Sequence, residues 1–325
     1  MDRNGIILAP IEAEFQTFKE LFKDSFQSTN PLLKSVFDYL LQRKGKMMRP
    51  ILTLLVAKDF GPISQATYHA ALTLEMLHSA SLIHDDVVDE SHERRGQKSV
   101  NAIYDNRVAV LVGDYMLSSA LQHSALTSHI DVVNAISQLG KDLSEGEILQ
   151  LSNIRNQALS EAVYFDIIRM KTAALFSTCA KIGAMTAPHA TAEDVERFRL
   201  FGEKVGICFQ IKDDIFDYYK NEAVGKPTGN DMLEGKLTLP ALYVVTHTDN
   251  QEILDLVAKV KDLKATSADV ERLTQFTKDN GGIEYAEQVM MRYKQEALLL
   301  LTEVKNNAVR EALTAYVTYV IEREV

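Results

Sequence analysis

The amino-acid sequence predicts an all-α protein built as one helical bundle. Through most of the 325 residues, apolar side chains recur at intervals of three and four rather than two, the spacing of helices that bury one face. Only 15 glycines and 7 prolines interrupt this pattern, and hydrophobic residues make up 46% of the chain. No Pro-rich or Ser-rich linker divides the sequence, so we expect a single domain over residues 1–325.

Composition excludes several classes of protein. A net charge of −10 argues against nucleic-acid binding, because affinity for nucleic-acid phosphates comes from Lys and Arg. No apolar run approaches the ~18 residues of a membrane span, and no basic segment followed by an apolar run marks a signal peptide. Cys179 and Cys208 lie in apolar helical stretches, which predicts reduced, packed thiols. We therefore expect a cytoplasmic protein without a transmembrane segment or a nucleic-acid partner.

The first helices each follow a proline, at Pro10 and at Pro31, a residue favoured in the first turn of a helix. A short basic loop over residues 44–50 comes next and carries Lys46 and Arg49, with a glycine and a proline that interrupt helicity. A solvated connector is the simplest interpretation of this loop. It gains a binding role only if other parts of the chain need basic partners.

A long helix is predicted from about Ser64 to Asp89, and three aspartates lie in its last turns. Asp85 and Asp89 fall on one helical face with Asp86 beside them, between apolar pairs. Like charges at this spacing repel each other, and carboxylates near a helix C-terminus also oppose the helix dipole. The cluster therefore predicts a bound cation.

Further polar residues flank these aspartates. His78 lies two turns before Asp85 on the same stripe, although a single helical histidine is more often structural than a ligand. Arg94 and Arg95 follow the helix and offer planar donors suited to phosphate oxygens. The alternative role of the two arginines is to neutralise the aspartates.

The middle of the chain holds two further informative helices. The one over residues 107–127 is apolar nearly all round, which predicts a central buried helix that walls a cavity. The one over residues 164–180 carries Lys171 and Thr172 in otherwise apolar surroundings. A functional and a structural interpretation of this polar pair are about equally supported.

The acidic pattern returns at Asp213, Asp214 and Asp217, in a helix that we expect to begin after Thr191. Gln210 precedes the second cluster on the same stripe, and both clusters can face one cavity.

A loop over residues 225–236 comes behind the second cluster and contains three glycines with Lys226 and Lys236. Such a loop can approach a phosphate closely and close as a lid.

Six carboxylates with no neighbouring cysteine predict a hard cation, of which Mg²⁺ is the first choice. Magnesium usually links a few carboxylates to substrate phosphates, and the basic residues exceed what one monophosphate needs. We therefore expect one or two diphosphate substrates. The motifs contain no convincing nucleophile and base, so the cationic groups would stabilise a diphosphate leaving carbon.

Together these motifs resemble the all-trans polyprenyl diphosphate synthases, which elongate isoprenoid chains head to tail. The resemblance covers nearly the whole chain, from the loop at residues 45–50 to the loop at residues 225–236, and includes both aspartate motifs and the arginine pair. It implies an all-helical bundle around a central substrate cavity, usually homodimeric. It also implies several Mg²⁺ ions in each site, with an allylic diphosphate and isopentenyl diphosphate as ligands.

The resemblance implies a role for each candidate residue. Those implied to hold Mg²⁺ on the allylic diphosphate are Asp85, Asp86, Asp89, Asp213, Asp214 and Asp217. Those implied to grip its oxygens are Arg94, Lys171, Lys226 and Lys236. Those implied to hold isopentenyl diphosphate are Lys46, Arg49, His78 and Arg95. Thr172 and Gln210 are implied to stabilise an allylic cation, which the isopentenyl double bond attacks before a proton is lost.

The resemblance also bears on product length. In this family a bulky residue one turn before the first aspartate blocks the growing chain, whereas Ala80 and Ser81 are small. We therefore expect products longer than geranylgeranyl diphosphate, of the kind used for quinone side chains. The growing product is expected to extend into a tunnel, and the side chains that close its far end are expected on the helix over residues 116–123.

Other functions remain open at this point. One is a shorter-chain synthase that makes farnesyl or geranylgeranyl diphosphate. Another is a class I terpene cyclase, which would need no isopentenyl diphosphate. A third is the regulatory subunit of a heteromeric synthase, although such proteins typically lose metal ligands and all six aspartates are present here.

Overall fold

The structure, a computed structural model, describes residues 3–42, 45–94, 96–155, 159–219 and 229–322. These ranges are almost entirely helical, which confirms the predicted all-α class. The α-helices are α1 (Arg3–Leu8), α2 (Glu12–Asp24), α3 (Pro31–Leu41), α4 (Met48–Asp59), α5 (Gln65–Val88), α6 (Val100–Tyr104), α7 (Asn106–Leu126), α8 (Ile130–Arg155), α9 (Glu161–Ile168), α10 (Ala174–Met185), α11 (Ala192–Phe216), α12 (Asn230–Leu233), α13 (Leu239–Val245), α14 (Gln251–Lys261), α15 (Ser267–Asp279), α16 (Gly282–Leu300) and α17 (Asn307–Glu322).

Three short elements complete the described structure. A 3-10 turn at Ala9–Ile11 links α1 to α2, and a π-helical turn at Arg169–Ala173 joins α9 to α10. A two-stranded antiparallel hairpin pairs β1 (Glu93–Arg94) with β2 (Gln97–Lys98), in a segment where no strand was expected.

The chain divides into two compact units. The first contains residues 1–140, 175–202 and 300–316, and the second contains residues 141–174, 203–299 and 317–325. The expectation of a single domain over the whole chain remains a prediction.

In the first unit, α5 packs along α7. It begins at Ser64, whose hydroxyl accepts a hydrogen bond from the backbone N–H of Thr67, and it ends beside Asp89. This agrees with the predicted helix and follows from ordinary N-capping, which satisfies one of the backbone donors left free at a helix start.

The apolar surface of α7 is only partly buried. One face, with Val112 and Met116, is 2–3% exposed, whereas Leu111 is 67% and Leu121 57% exposed on the other. The prediction of a helix buried all round is therefore wrong for a single chain. Such an exposed apolar strip is typical of a surface that another molecule covers.

In the second unit, the C-terminal part of α8 crosses the π-helical turn closely. A Cβ at Gly146 would lie 2.7 Å from Met170 Cβ and 3.0 Å from the backbone nitrogen of Lys171, so glycine is needed there. Helix α8 continues beyond this crossing to Arg155.

Both cysteines are buried and free, as predicted for packed thiols. Burial raises the pKa of Cys179 and that of Cys208 to about 12. Among the described helices, none combines the length and apolar character needed to cross a lipid bilayer.

Candidate active site

The aspartates at the end of α5 have different surroundings. Asp86 is 1% exposed, its Oδ1 accepts a 2.7 Å hydrogen bond from Arg94 Nε, and its backbone carbonyl accepts one from Asn101 Nδ2 at 3.1 Å. Asp85 is half-buried, and Asp89 is exposed at the helix end. Asp86 therefore ties the helix to the hairpin, whereas Asp85 and Asp89 present accessible oxygens.

Arg94 lies on β1 and pairs with Asp86. This is the alternative role considered for the arginines, neutralisation of an aspartate. The pair is a charge-assisted hydrogen bond to a buried carboxylate, so it fixes the direction of the guanidinium. Arg95 lies outside the described residues.

A histidine next to Asp85 is wedged between helices. His84 Nε2 lies 3.2 Å from the backbone oxygen of Val110 and 3.5 Å from Asp114 Oδ1. Gly113 makes room for the imidazole, because a Cβ there would be 2.2 Å from His84 Nε2. The contact holds the last turns of α5 on α7.

The small residues before Asp85 differ in access. Ala80 is 0% exposed, whereas Ser81 is half-buried and its hydroxyl donates to the backbone oxygen of His78 at 2.9 Å. The His78 side chain is itself 8% exposed. Of the two positions predicted to govern product length, only Ser81 has appreciable accessible surface.

The basic segment predicted as a loop runs into α4, because the helix begins at Met48 and already contains Arg49 and Pro50, so that only residues 45–47 of the described part precede it. Lys46 is exposed, and the guanidinium of Arg49 stacks over the ring of Phe176 with 5.2 Å between its carbon and the ring centre. The backbone oxygen of Met48 accepts a 3.0 Å hydrogen bond from the hydroxyl of Tyr316, a fully buried residue of α17. Helix α17 thus anchors this basic segment at the start of α4.

In the second unit, a chain of hydrogen bonds links four side chains. Thr172 Oγ1 donates to Gln210 Oε1 at 2.6 Å, and Gln210 Nε2 donates to Asp214 Oδ1 at 2.8 Å. The hydroxyl of Tyr164 donates to Asp214 Oδ2 at 2.5 Å. Burial raises the pKa of Asp214, and the negative charge of Asp231 raises it further. Each oxygen of the buried Asp214 carboxylate accepts a hydrogen bond from a different side chain, Oδ1 from Gln210 and Oδ2 from Tyr164.

The outer aspartates of the second motif, Asp213 and Asp217, are half-buried. The two carboxylate oxygens of Asp217 accept hydrogen bonds from the backbone N–H groups of Asn230, at 3.0 Å, and Asp231, at 3.2 Å. Its backbone oxygen accepts a third from Gly229 at 2.8 Å. Asp217 therefore caps the N-terminus of α12.

These residues surround a cavity of about 210 Å³ in the second unit. Its wall includes Lys171 and Lys236 as well as Thr172, Gln210 and Asp214. Lys171 forms a close ion pair with Glu147, and Lys236 pairs with Glu234 at 2.6 Å. Lys226 lies outside the described residues. Two cations and a polar chain thus share one cavity.

The donor chemistry fits a magnesium ion shared with a substrate. In the described ranges, no group of three or more His, Cys, Asp or Glu side chains is arranged to hold a metal by itself. Magnesium is usually bound through one or two carboxylates, with waters and substrate phosphates supplying the other oxygens. The accessible pair of Asp85 and Asp89 and the pair of Asp213 and Asp217 suit that mode.

Sequence reasoning missed Tyr164 and Asp231 as site residues. Tyr164 lies seven residues before Lys171, which places both on one helical face, so a phenol there was a usable signal. Asp231 is a carboxylate in a loop of glycines and lysines. Its place in the cavity wall depends on the hydrogen bonds from α12 to Asp217, which no local pattern of residues predicts.

Comparisons with known proteins identify one family that matches most of the chain. The model of a family described as polyprenyl synthetase matches residues 30–276. The all-trans-nonaprenyl-diphosphate synthase (geranyl-diphosphate specific) of Rhodobacter capsulatus is 32% identical over 319 residues, which are 98% of this chain and 97% of that protein.

Two solved structures are also similar. One is geranylgeranyl pyrophosphate synthase from Bacteroides thetaiotaomicron, at 48% identity and a TM-score of 0.87, covering 99% of this chain and 100% of that one. The other is a polyprenyl synthase from Caulobacter crescentus complexed with calcium and isoprenyl diphosphate. It has 29% identity and a TM-score of 0.92, and the match covers 99% and 98% of the two chains.

Proposed function

Because this chain belongs to the polyprenyl synthetase family, we propose that it elongates an allylic diphosphate, such as farnesyl diphosphate, with isopentenyl diphosphate. The product is a long-chain all-trans polyprenyl diphosphate. The observation that carries this proposal is the cavity in which Lys171 and Lys236 lie with the hydrogen-bonded chain of Thr172, Gln210 and Asp214. It combines cations for a diphosphate with oxygen lone pairs for a carbocation.

The six aspartates fall into two groups with different roles in Mg²⁺ binding. Mg²⁺ would be held by the accessible carboxylates, namely Asp85, Asp89, Asp213 and Asp217. The buried ones, Asp86 and Asp214, orient their neighbours through Arg94 and Gln210. When bound, Mg²⁺ stabilises the charge that the diphosphate gains as its bond to carbon breaks.

The basic residues of the second unit grip the allylic diphosphate. Lys171 and Lys236 each have a glutamate partner, Glu147 and Glu234, that keeps the ammonium group in the cavity wall and is exchanged for phosphate oxygens on binding. Lys226 and Arg94 complete this set in the proposal.

Thr172 and Gln210 face the allylic cation. The Thr172 hydroxyl donates its hydrogen bond to Gln210 Oε1. Thr172 Oγ1 and Gln210 Oε1 therefore offer only lone pairs to another group in the cavity. Those lone pairs favour a cation at the reacting carbon. The isopentenyl double bond then attacks that carbon, which forms the new C–C bond and leaves a cation on the isopentenyl unit. The carbon next to this cation loses a proton to the departing diphosphate, and the new double bond forms.

Isopentenyl diphosphate is assigned to Lys46, Arg49, His78 and Arg95. Arg49 is stacked on Phe176, so its guanidinium plane is fixed before the ligand arrives. This preorganisation lowers the entropy cost of gripping a phosphate.

A long product is favoured by Ser81, which has accessible surface one turn before Asp85 and no bulk to stop a growing chain. The relatives carry both kinds of name, a nonaprenyl synthase and a geranylgeranyl synthase. Quinone side chains are the proposed use of the longer product. The shorter-chain alternative, a farnesyl or geranylgeranyl diphosphate synthase, predicts a product of three or four isoprene units.

The active form in this proposal is a homodimer located in the cytoplasm. The exposed strip on α7 combines Leu111, Tyr115 and Leu121, which are 67%, 42% and 57% exposed, and a second copy would cover it. The free, buried cysteines suit a reducing compartment. Light scattering of the purified protein measures the assembly, and a monomer at micromolar concentration contradicts it.

The test of function is an assay of purified protein with Mg²⁺, farnesyl diphosphate and isopentenyl diphosphate, with the extracted products sized by chromatography. We expect products longer than geranylgeranyl diphosphate and none after chelation with EDTA. Product from an allylic diphosphate alone would indicate a terpene cyclase. No product beside an active control synthase would overturn the proposal, and activity restored by a second, different subunit would identify a regulatory chain.

A further inference from the structure

Tyr164 is a buried phenol that the chemistry above leaves without a task. It lies near the start of α9, is 6% exposed and lines the same cavity as Lys171 and Gln210. Its hydroxyl contacts Asp214 Oδ2 at 2.5 Å, the shortest link in the hydrogen-bonded chain described above.

The hydrogen bonds from Tyr164 to Thr172 have a fixed donor-to-acceptor direction. Asp214 is held through both oxygens, Oδ2 by Tyr164 and Oδ1 by Gln210, so the carboxyl group cannot rotate without losing a partner. Whether or not Oδ2 carries a proton, Oδ1 accepts from the Gln210 amide. Because Tyr164 occupies Oδ2 and leaves Oδ1 as the acceptor, the amide turns its nitrogen to Asp214 and its oxygen to Thr172.

The opposite orientation of the amide would have an electrostatic consequence. If Gln210 presented its nitrogen to Thr172, the hydroxyl would accept rather than donate, and N–H and O–H dipoles would point at the reacting carbon. Positive dipole ends there destabilise a carbocation. The orientation of one amide thus decides the sign of the local field.

We propose that Tyr164 is a positioning residue for prenyl transfer, which through Asp214 holds the Gln210 amide and the Thr172 hydroxyl in the orientation that stabilises the allylic cation. This inference rests on the function proposed above. Tyr164 does not contact the reacting atoms, so its removal should affect the chemical step and leave substrate binding largely unchanged.

The first experiment compares two variants that each lose a single hydroxyl. Tyr164→Phe should lower kcat about tenfold, less than the loss of a direct oxyanion-type donor, and leave both KM values within about twofold. The matched control is Tyr285→Phe, which breaks a tyrosine–carboxylate contact in the same unit, at 2.9 and 3.0 Å from the oxygens of Glu161, outside the cavity wall. The control should keep the parent kcat.

The second experiment separates positioning from a general structural effect. If Tyr164 acts through Gln210, then Tyr164→Phe in a Gln210→Leu background should change kcat by less than about twofold, because the orientation it sets no longer exists. A purely structural role predicts the same tenfold loss in both backgrounds.

The outcomes keep the two proposals apart. A parent protein that makes no elongated product overturns the proposed function and the role of Tyr164 together. An active parent with unchanged kcat in Tyr164→Phe overturns the role of Tyr164 alone. A Tyr164→Phe protein that fails to fold, or equal losses in the two backgrounds, assigns the hydroxyl to structure and also overturns that role.

Discussion

The imidazole of His84 occupies the space that a side chain at position 113 would need. A Cβ on Gly113 would lie 2.2 Å from Nε2 and 2.6 Å from Cδ2 of the ring. His84 immediately precedes Asp85, so the contact between the imidazole and α7 also helps to position the first aspartate motif.

Gly113→Ala should expel the ring of His84 and disturb Asp85. We expect a loss of about 1–3 kcal/mol in the free energy of unfolding, typical of overpacking, with at least a tenfold loss of turnover. The matched control is Gly140→Ala in α8, where nothing lies within 4 Å of the added Cβ. Alanine there should stabilise the helix by about 0.5–1 kcal/mol. Denaturant unfolding and product assays check both, and equal behaviour of the two variants would refute this account of Gly113.

Ser81→Phe should shorten the product, because an aromatic ring would then stand one helical turn before Asp85. The control is Ser81→Ala, which keeps the position small and should keep the parent product. Chromatography of the extracted products measures the length. If Ser81→Phe makes the same product as the parent, then the chain does not grow past this face of α5.

Tyr316→Phe should weaken isopentenyl diphosphate binding selectively. It removes the hydrogen bond to the Met48 backbone oxygen, worth about 0.5–1.5 kcal/mol, and so loosens the first turn of α4, which carries Arg49 and follows Lys46. We expect KM for isopentenyl diphosphate to rise about three- to tenfold and KM for the allylic substrate to stay constant. Tyr104→Phe, which loses an exposed hydroxyl contact to the Ser35 backbone oxygen, is the control. An equal rise in both KM values would contradict the prediction.

Adjacent aspartates should respond differently to loss of charge. Asp85→Asn should raise the Mg²⁺ concentration for half-maximal activity at least tenfold with little change in stability, because Asp85 is assigned to the metal. Asp86→Asn should lower the free energy of unfolding by about 1–3 kcal/mol, because the buried partner of Arg94 loses its charge. Metal titrations and unfolding curves on both variants give the comparison. Equal metal dependence in the two would refute the division of roles.

The thiols should make the protein less stable in alkali. Burial raises the pKa of Cys179 from 9.0 to about 12, so the folded state keeps a proton that the unfolded chain releases first. The stability this gives is complete below pH 9 and falls as the pH rises toward 12. Between pH 8 and pH 10 the parent should therefore lose about 1 kcal/mol relative to Cys179→Ala, measured by denaturant unfolding. A constant difference between the two proteins would contradict this.

Local signals were enough to predict much of the fold. Ser64 before α5 and Thr191 before α11 are N-caps, and Thr191 exchanges hydrogen bonds with Asp194 as a capping box requires. Caps, apolar spacing and proline positions act within a few residues, so they can be recognised in one sequence.

The partners of the site residues were less predictable, because they depend on contacts between distant segments. Tyr164 meets Asp214 fifty residues further on, and Lys171 meets Glu147 on another helix. The exposure of Leu111 could not be predicted either, since an apolar helix looks the same whether its cover comes from its own chain or from a second copy.

Asp217 gives the second aspartate motif a further property. Its two oxygens already hold the first N–H groups of α12, so a cation that draws on the same oxygens alters how firmly that turn is folded. Occupancy of the carboxylate and order of the turn are then reciprocally linked, each changing the other by the same factor. If Asp217 holds a metal ion as proposed, substitutions elsewhere in α12 would shift the apparent metal affinity, and metal binding would change how much of this turn is formed.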